Sequence, residues 1–361
     1  MIRLSLALLM YVGLTASLAS PARASHQPAT FSIVAYDSLT QELGVAVESK
    51  YFSVGLVVPW ARAGVGAVAT QANVQASYGP RALAMLESGA SPDEVLRAFA
   101  ANDSSWDTRQ FALVDAKGRA ATWTGAKCNS WAGGESGVHF VCQGNILTGP
   151  EVVTAMAKAF RESRGDLGGR LITALEAAQA AGGDKRGQQS AALLVVRPSE
   201  RRPEYRERYV DLRVEDHRTP IAELRRLWRI HQGFHGTGAH LAMAAEFDAA
   251  GRADLAKLER SRVHETLVDV LERGDRDAGL LNGLAWSCAV NDIHLADALK
   301  AAERASAIEP KSTDILDTLA EVHFRMGNAK RAIEVGRRAF TLDPANPYLK
   351  AQLARFEAGG R

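Results

Sequence analysis

Between residues 30 and 47 the apolar positions form two short β-branched runs, Thr30-Phe31-Ser32-Ile33-Val34-Ala35 and Leu43-Gly44-Val45-Ala46-Val47. Turn-type residues separate them over 37–42, so the pattern predicts a β-hairpin buried on at least one side. Residues 54–61 are apolar without clean alternation. Residues 64–72 predict a small-residue strand whose Gly66, Ala67 and Ala69 would let another backbone, or a substrate, come close. Helical spacing follows over 79–88, and again over 91–101, where Ser91, Pro92 and Glu94 form an N-cap, a first-turn proline and a capping box. Strands are predicted at 109–114 and 120–125, then a cysteine-containing strand pair running to Gln143-Gly144-Asn145. Helices at 149–162 and 166–180, strands at 191–196 and 209–216, and a helix from Thr219-Pro220 to about 230 complete the unit. Strands, helices, strands, helices in that order suit a layered α+β domain better than a parallel sheet.

From residue 239 onward the pattern is helical and alanine-rich. Ala298 and Ala332, Ala305 and Ala339, and Pro310 and Pro344 repeat at the tetratricopeptide spacing of about 34 residues. The unit over 313–346 carries Leu316, Leu319, Ala320, Gly327, Ala332, Ala339 and Pro344 at the packing positions. In the preceding unit Leu281, Leu284 and Ala285 are shifted by one, which implies a longer turn around Asn291-Asp292. Two clear units are fewer than an independent stack needs, so they are expected to lean on a divergent helix pair over 239–273 or on the first domain. The segment Gly233-Phe234-His235-Gly236-Thr237-Gly238 is expected to be a linker. The expected division is a leader at 1–24, an α+β domain at 30–232 and an all-α helical-repeat domain at 239–361.

Composition adds constraints on export and partners. Arg3, the apolar run over 4–18 and Ala22-Arg23-Ala24 predict a cleaved secretory signal, hence an exported protein, periplasmic or secreted, with no membrane span after cleavage. The chain has 43 basic and 41 acidic residues, and the leader carries Arg3, Arg23 and no acid, so the processed chain is formally neutral. That balance argues against nucleic acid as a partner. The basic run over 201–229 is interleaved with acids and reads as a solvated surface. In an exported protein Cys128 and Cys142 are expected either to pair or to remain buried thiols, while Cys288 falls on a helix as core. His231, His235 and His240 are spread over the expected linker and read as solvated. Nothing has metal-ligand spacing, and neither metal nor cofactor is expected.

Two places concentrate chemistry. Thr30 is either the first residue of an edge strand or, if proteolysis frees its α-amine, a nucleophile carrying its own base, because that amine titrates at about 7.7–8. The second place is Gly182-Gly183-Asp184-Lys185-Arg186-Gly187-Gln188-Gln189-Ser190, where glycines permit tight backbone just before a buried strand. An ordinary solvated turn would use the same residues.

Thr30 to Ala35, Gly44 to Val47, Gly66 to Ala72, Tyr78-Gly79-Pro80, Arg109-Gln110, Gln143 to Asn145, Gly182 to Asp184 with Arg186-Gly187, Gln189 to Ala191, and Asp211 to Val214 with Asp216-His217 resemble the family catalogued as domain of unknown function 1028. The resemblance runs in order from residue 30 to 228. That family is similar to the N-terminal-nucleophile hydrolases, which implies a four-layer αββα sandwich and hydrolysis of an amide bond in a small molecule or peptide. By analogy with proteasome β subunits, Asp184 would orient the α-ammonium of Thr30 and Ser190 would hydrogen-bond it. Lys50, at the end of the second strand, would either depress a neighbouring pKa by its charge or be a plain strand-end surface lysine. Gln71, Asn73, Arg109, Gln143, Asn145, Arg186 and Gln189 would bind substrate. The alternative is a catalytically silent module that uses the same pocket, or the helical repeats, to hold a ligand, a protein partner or a second copy of the chain. A small-molecule or peptide substrate belongs to the first reading only.

Processing is the difficult step. Cleavage after Ala24 leaves Ser25-His26-Gln27-Pro28-Ala29 in front of Thr30, so a second trimming or self-processing event is required before the amine is free.

Overall fold

The computed structural model describes residues 30–359. The expected leader, the Ala24 cleavage site and the 25–29 arm lie outside the described residues. Ten strands form two antiparallel sheets. The larger has the order β10-β9-β2-β1-β8-β7, made of β1 (Thr30–Tyr36), β2 (Leu43–Ser49), β7 (Gly133–Gly137), β8 (Phe140–Asn145), β9 (Ser190–Val196) and β10 (Val210–Val214). The smaller has the order β3-β4-β5-β6, made of β3 (Pro59–Arg62), β4 (Gly66–Ala72), β5 (Arg109–Asp115) and β6 (Ala120–Thr124).

Both faces of each sheet are covered, which explains why β1 and β2 read as continuous apolar runs rather than alternating ones. Phe31, Ile33 and Ala35 turn outward onto α3 (Glu151–Glu162) and α4 (Leu167–Ala180). Val34, Val45, Val47, Val141 and Ala192 turn inward and meet Ala67, Ala69, Ala112 and Val114 of the smaller sheet. That sheet's outer face packs Val68, Phe111 and Leu113 against α1 (Tyr78–Glu87) and α2 (Pro92–Asn102). The α2 capping box forms as the sequence predicts, with the Glu94 carboxylate 2.7 Å from the Ser91 amide and the Ser91 hydroxyl accepting from the Glu94 amide at 3.4 Å. Gly44 is needed for contact with α4, because a Cβ there would lie 2.6 Å from Leu171 Cδ1.

After the short α5 (Tyr205–Arg208) and β10, helix α6 (Pro220–His231) leads out of the sandwich. The expected linker is not a loop. A π-helical turn, Gln232–Gly236, carries α6 straight into α7 (Thr237–Ala249). Here glycine serves close approach: a Cβ on Gly233 would lie 1.7 Å from the Leu280 side chain. Glycine composition is the same in a linker and in a helix crossing, which is why the sequence pattern misled. A broad-specificity protease should therefore cut the exposed loop at 200–204 before anything in 232–238. Early cleavage inside 232–238 would show that the helix opens.

The helical region continues as α8 (Ala253–Glu272), α9 (Ala278–Val290), α10 (Leu295–Ile308), α11 (Thr313–Arg325), α12 (Ala329–Leu342) and α13 (Pro347–Ala358). Residues 291–294 join α9 to α10 and residues 326–328 join α11 to α12, so the longer turn expected at Asn291-Asp292 is present. Asp292 and His294 both adopt positive φ to close it. The pair α7 and α8 precedes these two pairs, as a stack of this kind requires.

Six ionisable side chains join the sandwich to the helices. Arg197, fully buried just after β9, reaches Glu42 Oε1 at 3.0 Å and Glu259 Oε1 at 2.8 Å. Arg262 meets Asp166 at 2.6 Å and Glu259 at 3.0 Å. His240 is not solvated as expected; its Nδ1 lies 2.7 Å from Glu259 Oε2 and its Nε2 3.5 Å from Asp166 Oδ2. Glu42, Asp166 and Arg197 come from the sandwich, and His240, Glu259 and Arg262 from the helices.

Burial alone would push the His240 imidazole down, but Asp166 and Glu259 outweigh it and hold its pKa at about 9. Burial likewise opposes ionisation of Asp166 and Glu259, yet His240 and the arginines hold both at about 2. His240, raised from 6.5 to about 9, contributes stability that is full below pH 6.5 and lost as pH rises through about 9. The two carboxyls contribute above their ordinary values of 3.8 and 4.5 and lose that contribution as pH falls through about 2. Thermal melts should therefore decline from pH 6.5 to 9, and His240→Gln should flatten that limb. An unchanged slope in the variant would remove His240 from the account.

Candidate functional site

The inner face of the sandwich is apolar at one end and polar at the other. Strand register sets Asn145 beside Thr30, Thr30 beside Ser49, and Ser49 beside Ser190, in one row across β8, β1, β2 and β9. Directly paired residues on neighbouring strands point to the same face, so all four side chains look between the sheets. The Thr30 and Ser49 hydroxyls are 3.1 Å apart. One row deeper, Gln143 and Ser32 are paired, and Ser32 Oγ donates to Gln71 Oε1 at 2.7 Å across the gap between sheets.

Gln110 is the hub. Its Oε1 accepts from Gln71 Nε2 at 2.8 Å and Asn145 Nδ2 at 3.0 Å, while its Nε2 donates to the Gly144 carbonyl at 2.8 Å and to Thr124 Oγ1 at 2.9 Å. Gln71 Nε2 also donates to the Thr30 carbonyl at 3.2 Å, and Gln143 Nε2 to the Ala69 carbonyl at 3.2 Å. Thr30, Ser32, Gln71, Gln110, Gln143 and Asn145 are each at most 1% exposed. A buried polar atom left unmatched costs about 1–3 kcal/mol, so this network fixes the strand register as strictly as the apolar core does.

The loop over 182–190 forms a second cluster at the end of β2. Asp184 Oδ2 accepts from the Lys50 amide at 2.9 Å and from Arg186 Nη2 at 3.0 Å, and its Oδ1 accepts from the Arg186 amide at 2.8 Å. Lys50 Nζ points to the surface and donates to the Gln188 carbonyl at 3.1 Å. Gln189 Nε2 donates to Asp216 at 3.1 Å. Ser190 shares the Thr30 row, but its hydroxyl donates to the Tyr51 carbonyl and accepts from the Val54 amide at 3.1 Å. Beneath this cluster, on the helix side of β2, burial pushes the Glu48 carboxyl well above the usual carboxylate range. The charge of Asp184 adds to the shift, and the Gln189 amide, Arg186 and Lys50 oppose it.

Asn73 and Arg109 form a third cluster, on the outer side of the smaller sheet. Arg109 Nε reaches Asp103 Oδ2 at 2.9 Å and its guanidinium also meets the Asn73 carbonyl. Asn73 Nδ2 donates to Thr108 Oγ1 at 3.1 Å. Hydrogen bonds from Arg109 and Tyr78 bring the Asp103 carboxyl down to about 2. The fold thus gathers Thr30, Gln71, Gln143 and Asn145 around one point, sets Lys50, Asp184, Arg186 and Gln189 beside it with Ser190 between, and carries Asn73 and Arg109 elsewhere.

Sequence reasoning passed over Ser32, Ser49 and Gln110 as site members. Their signal was parity: each lies two residues from a position that faces the core between the sheets, Val34, Val47 and Ala112 respectively. Cys128 and Cys142 are free thiols, the first donating to the Arg109 carbonyl at 3.3 Å and the second fully buried. Among the described residues no group of His, Cys, Asp and Glu is arranged to hold a metal, and no helix is long and apolar enough to cross a membrane.

Fold and site together define an α+β protein of two face-to-face sheets with a polar centre at one end and a helical extension. Residues 30–224, more than half of the 361-residue chain, match the family described as a family of unknown function, DUF1028. The chain belongs to that family. It is similar to the crystal structure of protein SPO2555 from Silicibacter pomeroyi, a DUF1028 structure, at 31% identity and a TM-score of 0.52, over 56% of this chain and 89% of that one. The first TPR domain of the human RPAP3 protein, solved by NMR, aligns at 14% identity over 35% of this chain and 92% of that one, with a TM-score of 0.25. That likeness is too slight to carry an argument, and the repeat assignment rests on the chain's own spacing. No curated protein matches the chain.

Proposed function

We propose that the polar end of the sandwich is the centre of an N-terminal-nucleophile amidohydrolase, exported and processed so that Thr30 begins the chain. The observation that carries this reading is the row Asn145, Thr30, Ser49 and Ser190, with Thr30 at its centre and at the head of β1. Helix, sheet, sheet, helix is also the layer order of that hydrolase class. Once free, the α-amine takes the Thr30 hydroxyl proton as the oxygen attacks the amide carbon of a small molecule or peptide. The proton passes to the leaving amine, an ester to Thr30 remains, and water activated by the same amine releases the acid.

Ser49, 3.1 Å from Thr30 Oγ1, orients the hydroxyl, and Gln71 holds the Thr30 carbonyl. Asp184 and Arg186 act by fixing the end of β2, and hence Ser49, through the Lys50 amide. A second reading, a catalytically silent module, is favoured by one observation: the network is sealed and its members satisfy one another. In that reading the helical repeats offer the binding surface. N-terminal sequencing of the purified protein, followed by an electrophile that traps N-terminal threonines, separates the two. A Thr30 start and one label per chain are expected. A Ser25 start in material that still hydrolyses amides would sink the Thr30 mechanism, and a Thr30 start that never labels would favour the silent module.

A further inference from the structure

Away from the sandwich centre, a cavity of about 500 Å³ lies between α4, α6 and α8. Its wall carries unbalanced positive charge. Arg225 is paired bidentately with Glu176 at 2.8 and 2.9 Å, and Arg262 with Asp166 at 2.6 Å. Arg229 and Arg273 instead share one carboxylate, Asp269, at 3.9 and 2.6 Å. Burial first, and the charge of Arg273 second, push the Arg229 guanidinium below its usual range, as expected of a cation short of a counter-ion. Exposed Arg164 and Glu265 also line it, one of each charge.

A buried amide lies behind the same cavity wall. Gln232, 5% exposed, is one of its lining residues, and its Nε2 has no hydrogen-bond partner. Its orientation is fixed from behind. His240 directs Nδ1 to Glu259 at 2.7 Å and Nε2 to Gln232 Oε1 at 3.3 Å. The Nε2–H of this imidazolium is shared between Gln232 Oε1 and Asp166 Oδ2, the latter 3.5 Å away, and the amide oxygen faces it. Two guanidiniums that share one acid at the wall of a cavity call for an anion. Trp228 and Val270 give the cavity an apolar side.

We propose that this cavity binds the carboxylate or phosphate group of a small organic anion through Arg229 and Arg273, with the ligand's apolar part against Trp228. The ligand then spans α6 and α8, so its binding stabilises the junction between sandwich and repeats. Calorimetric titration of the full chain with inorganic phosphate and with citrate, at matched ionic strength, tests this. Saturable one-to-one binding of at least one probe is expected; phosphate alone assigns a phosphate ligand, and citrate alone a carboxylate. Arg273 is half exposed, so R273Q should fold normally yet bind about tenfold more weakly, the loss expected for one charge-assisted hydrogen bond. R229Q should do the same. Binding of neither probe, or unaltered affinity in the R229Q/R273Q double variant, overturns the proposal.

Discussion

Arg197→Met is expected to destabilise the protein by about 3–5 kcal/mol, the cost of leaving the buried carboxylate of Glu42 without its nearest cation. This fully buried guanidinium is the nearest cation to Glu42, with Arg262 farther off at 4.0 Å, whereas Glu259 keeps Arg262 and His240; solvent screening gives no relief. Methionine preserves the side chain's apolar contacts: the Arg197 guanidinium carbon sits 5.7 Å from the Tyr209 ring centre and 5.8 Å from that of Phe247. The loss is therefore assigned to charge rather than to a cavity. Because the network ties two cores together, denaturant unfolding followed by two probes should change from one transition to two, the helical region going first. A loss below about 1 kcal/mol, in the range of an exposed pair, would mean that the network contributes specificity and little stability.

Thr30→Ala in correctly processed protein should reduce trapping by the electrophile to background, while Thr30→Ser keeps a measurable rate. Any amide hydrolysis found should fall roughly ten-thousand-fold, the scale on which loss of a component of a catalytic triad is felt. Stability should change by only about 1 kcal/mol, since the one side-chain bond removed is to Ser49. That contrast separates a chemical role from a structural one. If Thr30→Ala melts several degrees lower and still turns over substrate, Thr30 is a strand residue in a polar core.

Much of the local structure was written locally. The β-branched runs of β1 and β2, the Ser91-Pro92-Glu94 signal and the one-residue shift at Asn291-Asp292 each depend on residues close in sequence, and each sits where it was expected. What stayed hidden depends on distant partners. Gln110 is recognisable as a hub only once Gln71 and Asn145, 39 and 35 residues away, are brought to it by sheet register. His240 read as solvated because its counter-ions, Asp166 and Glu259, come from other helices. Asp166 did open α4 as its position suggested, but its carboxylate turned from capping that helix to meet Arg262. Thr30, Gln71, Gln143 and Asn145 were each singled out, yet the argument that they belong together is purely topological.

The π turn at Gln232–Gly236 has a consequence for how the protein tolerates change. An α-helix advances about 100° per residue, so one extra residue accommodated in a single turn sets the rotational phase of everything after it. Deleting any one of these five residues would let the backbone close into a regular helix. The repeats would then swing about a quarter-turn around the α6 axis, carrying His240 and Glu259 away from Asp166 and Arg197. Sequence drift by substitution is open to this segment wherever a side chain fits; drift in length is closed to it.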